Sequence, residues 1–142
     1  MKKVLITILV AVLVGSLFAV YVFKNIEEGI ALTTSNNEVT AFQVGVFSNY
    51  DNALKQANNF KSSIVVHDDN YYRVFIAMYH DEKIIKLMQD YYQDISIYLK
   101  RISVSDEFLT KLAKYESLIN TSKLDNYDEV NQSILNEYNK TK

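Results

Sequence analysis

Two short apolar stretches, each followed at once by a helix-forming pattern, most constrain what this chain can fold into. They are Ala41–Phe47 and Tyr72–Tyr79. In an extended chain, successive side chains point to opposite faces. The even-numbered positions of the first stretch are apolar, which predicts a face turned toward a core. The odd-numbered positions carry Gln43, Gly45 and Phe47, which predicts an exposed face that contacts a flat ligand bearing hydroxyl groups.

The residues around these stretches complete one domain over 41–104. Helices are expected over about 49–61 and from His80 onward, because their apolar residues recur three or four positions apart. The order βαββαβ predicts an α+β fold of the split βαβ (ferredoxin- or RNP-like) type, a four-stranded antiparallel sheet with one face exposed. The pattern of the last strand does not decide which of its sides is buried. The expected strands are Ala41–Phe47, Ser62–Val66, Tyr71–Ala77 and Ile97–Val104.

An apolar run precedes this domain, from Val4 to Phe23, with two lysines before it and Lys24 after it. About 20 apolar residues can cross a membrane as a helix, and the leading lysines predict a cytoplasmic N-terminus with the following domain outside the cell membrane. We therefore expect a cytoplasmic tip and transmembrane anchor over 1–24 and a tether over 25–40. A cleaved signal peptide is the alternative, but Leu17 fits its cleavage pattern poorly.

Small residues recur at every fourth position of the anchor, at Ala11, Gly15 and Ala19. Such a face lets a second helix approach closely, so a homodimer through the anchor is possible. Small residues are also common in membrane spans that do not dimerise.

A helical extension is expected after the domain, over 105–142. Its apolar residues recur on one face of each of two helices, which must be buried on the domain or on another protein. The sequence does not choose between these alternatives, and docking on the open sheet face would cover a site there. The two stripes comprise Phe108, Leu112, Tyr115 and Ile119, then Tyr127, Val130 or Asn131, Ile134 and Tyr138.

Composition excludes several classes of function. The chain has no cysteine, so no disulfide framework exists. Its 15 basic and 17 acidic residues nearly balance, and nucleic acid is therefore a poor partner. Only three glycines are present, too few to favour a phosphate-binding loop.

Catalysis, cofactors and metals are not indicated either. Acidic residues and a histidine occur together at 67–69 and at 80–82, but both sets lie at junctions where turns and helix caps are expected. Neither set has the spacing of a metal site. Ser48 has no visible histidine partner and is expected to cap the first helix.

Three segments within residues 41–104 form a recognisable pattern: Phe42-Gln43-Val44-Gly45-Val46-Phe47, Asn52-Ala53 and Tyr71-Tyr72-Arg73-Val74-Phe75-Ile76-Ala77-Met78-Tyr79. They resemble the motifs of the SPOR domain, a peptidoglycan-binding module of bacterial cell-division and sporulation proteins. That family opens with a strand similar to Val-Gln-x-Gly-Ser-Phe and later carries an aromatic-x-Arg-Val strand. Here Val46, Ala77 and Met78 replace a serine, a glycine and a proline of the family pattern.

The resemblance implies noncatalytic binding of glycan strands stripped of their stem peptides, by a membrane-anchored extracytoplasmic domain that works with division or sporulation proteins. A sugar ring needs an aromatic plane for its C–H face and fixed polar groups for its hydroxyls. The alternative is a protein-interaction module that acts through the sheet face or the C-terminal helices. An RNA-recognition motif has the same architecture but needs a basic field. The residues expected to bind glycan are Gln43, Phe47, Tyr71, Arg73 and Phe75.

Overall fold

The computed structural model describes residues 37–121 and 127–141, which belong to one compact unit. The expected anchor, its dimerisation face and most of the tether lie outside the described residues. No helix in the described ranges is long and apolar enough to cross a membrane. The strands are β1 (Glu38–Phe47), β2 (Ile64–Asp68), β3 (Tyr71–Tyr79) and β4 (Tyr98–Ser103), and the helices are α1 (Tyr50–Ala57), α2 (Glu82–Tyr91), α3 (Asp106–Thr121) and α4 (Asp128–Thr141).

The four strands form one sheet in the order β2-β3-β1-β4, and every neighbouring pair is antiparallel. This confirms an α+β fold with a four-stranded antiparallel sheet. β1 begins at Glu38, inside the segment that the sequence assigns to the tether. The turn between β2 and β3 is short, and its Asp69 has a φ of 55°. Aspartate tolerates this left-handed conformation better than most residues.

Bulges in the β1–β3 pairing change which side chains share a face. The register shifts between Phe42 and Gln43 and again between Gln43 and Gly45. Each bulge adds a residue to one strand and interrupts the alternation of faces. Gln43 is therefore opposite Phe75, whereas Phe47 is opposite Tyr72. Because side chains at positions 72 and 75 point to opposite faces of β3, the prediction that Gln43 and Phe47 share a face is wrong.

Helix α1 covers one face of the sheet, which we call the helix face. Ala53 and Ala57 of α1 are buried and pack with Val74 of β3. The helix begins after Asn49, whose side-chain oxygen accepts hydrogen bonds from the backbone N–H groups of residues 51 and 52. Asn49 therefore caps the helix, and the prediction that Ser48 does so is wrong. The amide side chain reaches the free N–H groups of the first turn.

Helices α3 and α4 share one hydrophobic core with the sheet and α2. Phe108 and Leu112 of α3 and Ile134 and Leu135 of α4 are buried in that core. Glu116 of α3 is also buried, and its Oε1 accepts hydrogen bonds from two backbone N–H groups at the start of α2, at 2.7 and 2.8 Å. The C-terminal helices are thus part of the packed domain rather than a separate appendage.

A buried amide fixes α4 against two tyrosines. Asn131 is fully buried; its Oδ1 accepts a hydrogen bond from the hydroxyl of Tyr79, and its Nδ2 donates to the hydroxyl of Tyr92 at 2.7 Å. Burial raises the pKa of both tyrosines, that of Tyr92 to about 12, so both hydroxyls stay protonated. Of the two residues that the sequence left open for the stripe of α4, Asn131 is fully buried and Val130 is half-buried.

We expect Asn131→Ala to destabilise the fold because it leaves the hydroxyl of Tyr79 without this partner, while the hydroxyl of Tyr92 keeps its hydrogen bond with Ser62. An unsatisfied buried polar group costs about 1–3 kcal/mol. The free energy of unfolding should therefore fall by about 1–3 kcal/mol, measured by urea denaturation with an unchanged m-value. Asn139→Ala, at an exposed position of the same helix, is the matched control. Equal stability of the two variants would contradict this role for Asn131.

Candidate functional site

One polar cluster takes a residue from each of the four strands. Asp68 of β2 accepts a hydrogen bond from Arg73 Nε of β3 at 2.7 Å and one from Lys100 Nζ of β4 at 2.5 Å, both at Oδ2. Arg73 also donates from Nη1 to Gln43 Oε1 of β1 at 3.2 Å. We call Asp68, Arg73, Lys100 and Gln43 the four-strand cluster, and the sheet face that carries it the cluster face.

The cluster requires a strongly curved sheet. Asp68 and Lys100 belong to the two edge strands, which in a flat sheet are separated by three strand spacings of about 4.8 Å each. Side chains that stand perpendicular to a flat sheet could not close that gap to a hydrogen bond. The twist of the sheet and the two bulges in the β1–β3 pairing bend it, so the cluster face is concave.

Charge in the cluster is only partly balanced, since two cations share one carboxylate. The side chains of Asp68, Arg73 and Lys100 keep 35%, 20% and 27% of their exposure, so solvent reaches all three. Hydrogen bonds from Lys100 and then Arg73 hold the pKa of the Asp68 carboxyl below its usual range, against a smaller effect of desolvation. Gln43 beneath them is 7% exposed and orients the guanidinium.

Helix α4 covers part of the cluster face. A cavity of about 160 Å³ lies between the edge strands, and Tyr138 of α4 contributes to its lining together with Asp68, Phe75 and Lys100. Phe75 is only 1% exposed. The alternative that the C-terminal segment covers the sheet face thus holds for this part of the face.

The other end of the cluster face is open. Tyr71 is 48% exposed and Tyr98 is 66% exposed. Tyr98 is opposite Gln43, and Tyr71 lies two residues before Arg73 on β3, so both rings are on the cluster face and flank the polar cluster. We call this area, formed by Tyr71, Arg73, Gln43 and Tyr98, the open end.

The structure therefore brings together four of the five residues that the sequence predicts for the site. Gln43, Tyr71, Arg73 and Phe75 share the cluster face, although Gln43 and Phe75 are buried. Phe47 lies on the helix face, among the apolar residues that pack with α1. A Cβ on Gly45 would meet the ring of Phe47 at 2.5 Å, so glycine at that position makes room for the ring.

Three residues of the site escape the sequence analysis. Tyr98 and Lys100 alternate on one side of the last strand, but nothing in that strand alone says which side faces the cluster. Asp68 was expected in a turn, whereas it ends β2 opposite Tyr71. Arg73 is only five residues from Asp68, across the β2–β3 turn, whereas Lys100 is 32 residues away, so the local sequence indicates the first partner at most.

Asp68→Asn is expected to lower the stability of the fold near neutral pH. The difference in stability from wild type should become smaller in acid. Because the folded pKa of Asp68 is depressed, its stabilisation is present above the ordinary value of 3.8 and is lost as the pH falls through the folded pKa. For a pair exposed to this degree the loss at pH 7 is about 1 kcal/mol or less. Thermal denaturation from pH 7 to pH 2 should show the two proteins converging below about pH 4.

Asp69→Asn is the matched control, since it removes the adjacent carboxylate, which makes none of the cluster's hydrogen bonds, and asparagine also tolerates a positive φ. A constant difference between wild type and Asp68→Asn across this pH range would contradict the role assigned to Asp68.

In the described parts of the chain, no three His, Cys, Asp or Glu side chains are grouped as a metal site requires. Comparison of the chain with protein-family models, with curated proteins and with solved structures finds no match. The resemblance to the SPOR domain therefore stays a prediction.

Proposed function

We propose that this domain binds peptidoglycan glycan strands without catalysis, at the open end of the cluster face. The observation that carries the proposal is the exposure of Tyr71 and Tyr98 on one face, on either side of Arg73. Two aromatic planes with a fixed polar group between them match the alternation of C–H faces and hydroxyl rims along a glycan.

Arg73 suits this role because its guanidinium is held in place. Gln43 and Asp68 each take one of its N–H groups, which fixes its orientation before any ligand arrives. A fixed arginine presents several donors in one plane and can bind hydroxyl or carboxylate oxygens. In glycan strands without stem peptides, the lactyl carboxylate of muramic acid is such a group.

Gln43 and Phe75 support the site from below, since both are buried. Gln43 orients Arg73, and Phe75 forms the floor beneath the cavity. Phe47 has no place in the proposed binding surface, because it belongs to the helix face.

The resemblance to SPOR motifs at 42–47 and 71–79 supports the same ligand class. The apolar run at 4–23 supports a location in the cell envelope, with the domain held outside the membrane near the wall. A protein of this layout would act where division or sporulation remodels the wall, beside other proteins of those processes.

A protein-interaction role is the second candidate, and one observation favours it. Helices α3 and α4 form a surface groove of about 500 Å³ whose lining includes Tyr115, the 46% exposed Leu118 and Lys114. Exposed apolar side chains ringed by charges are typical of a protein-binding surface. Retention of sacculus binding in Leu118→Glu would separate this groove from glycan recognition.

We expect Tyr71→Ala and Tyr98→Ala each to weaken binding to amidase-stripped sacculi roughly tenfold, about 1.4 kcal/mol. Loss of an aromatic plane removes the stacking surface for a sugar ring. The measurement is cosedimentation of the full chain, in mild detergent, with sacculi before and after amidase treatment.

Tyr50→Ala is the matched control because Tyr50 is also 48% exposed but contacts Tyr72, on the helix face. Equal binding by the tyrosine variants and wild type would contradict the placement of the site. A folded wild-type chain that binds neither preparation would contradict glycan binding itself and favour the second candidate.

A further inference from the structure

We propose that Asp68 is an internal competitor for a ligand carboxylate. Its side chain holds Arg73 and Lys100, the two cations that a carboxylate-bearing sugar would bind at the edge of the open end. The inference rests on the proposed function and extends it, because it names the sugar chemistry that the site selects and the residue that limits how tightly that sugar is bound.

The geometry of the cluster supports this role. Both cations donate to one oxygen of Asp68, at 2.7 and 2.5 Å. Two positive charges against one negative charge leave the cluster with a charge of +1 (two minus one). A second carboxylate is therefore attracted to the cluster even while Asp68 stays in place.

Displacement of Asp68 is energetically accessible. All three charged side chains keep between 20% and 35% of their exposure. Ion pairs that solvent reaches contribute only about 0–1 kcal/mol. Breaking the pairs of Asp68 therefore subtracts little from the free energy of ligand binding. The neighbouring cavity of about 160 Å³ could hold roughly five waters at ~30 Å³ each, which leaves space for a ligand group beside Lys100.

The two cations distinguish two chemical states of the muramic acid. A muramic acid whose stem peptide has been removed carries a free lactyl carboxylate, whereas in a strand with peptides the same carbon is an amide. An amide carries no charge and cannot compete with Asp68 for two cations. Only the free carboxylate benefits from Arg73 and Lys100, so these two cations give the selectivity, and Asp68 reduces it by pairing with both of them.

The test uses the full chain as wild type, Asp68→Asn and Asp69→Asn. The ligands are soluble peptide-free glycan strands and the same strands with their carboxylates converted to amides. Binding is measured by titration calorimetry at low ionic strength. Asp68→Asn is expected to bind the carboxylate strands about two- to fivefold more tightly than wild type, and the ratio of carboxylate to amide affinity should rise by the same factor. Asp69→Asn should match wild type.

The outcomes separate the two proposals. If wild type binds carboxylate strands and Asp68→Asn binds them equally or more weakly, the competitor role is wrong and glycan binding stands. If neither protein binds any strand, both proposals are wrong. A gain that is equal for carboxylate and amide strands also overturns the competitor role, because Asp68 would then limit access rather than compete for charge.

Lys100→Gln provides a second, independent variant should Asp68→Asn fail to fold. It removes one of the two cations and leaves Arg73 paired with Asp68. Its affinity for carboxylate strands should fall at least fivefold below that of wild type. Unchanged affinity in a folded Lys100→Gln chain would overturn the proposal.

Discussion

The curvature of the sheet is the constraint on which the four-strand cluster depends, and the carboxylate of Asp68 is the centre of that cluster. It joins the last residue of β2 to Arg73 of β3 and Lys100 of β4, and Arg73 continues the connection to Gln43 of β1. A flat sheet keeps its edge strands too far apart for this contact, so the cluster requires the curvature to which the bulges in β1–β3 contribute. The net stabilisation from such exposed pairs is small. The pairs therefore follow from the shape of the sheet more than they determine it.

Buried polar groups fix the positions of the C-terminal helices. An apolar stripe alone would let α4 slide along the core, because hydrophobic burial is not directional. Asn131 favours the one position of α4 in which its amide forms hydrogen bonds with the hydroxyls of Tyr79 and Tyr92. Glu116 gives α3 an equally specific contact at the start of α2. With α4 held there, Tyr138 lies over one part of the cluster face and leaves the other part open.

Local patterns in the sequence predict the strands and helices in their correct order, because strand alternation and helical spacing are local properties. These local patterns fail where a contact between residues distant in sequence determines which face a side chain occupies. The faces of β1 cannot be read by alternation, since its bulges arise from pairing with β3, and Phe47 is consequently on the other face from Gln43. The side of β4 that carries Tyr98 and Lys100 is fixed by its neighbour β1. The cap at Asn49 rather than Ser48 depends on where β1 ends, which is likewise set by pairing.

The same residues hold the sheet together and form the proposed binding surface, and this couples ligand binding to the sheet's shape. A ligand carboxylate that replaced Asp68 on Arg73 and Lys100 would still bridge β3 and β4, but it would release β2 from the cluster. β2 is an edge strand that pairs with β3 over five residues. A ligand that binds the state with β2 released stabilises that state by mass action. Under the proposed function, recognition at the open end is therefore a choice between two carboxylates for the same pair of cations.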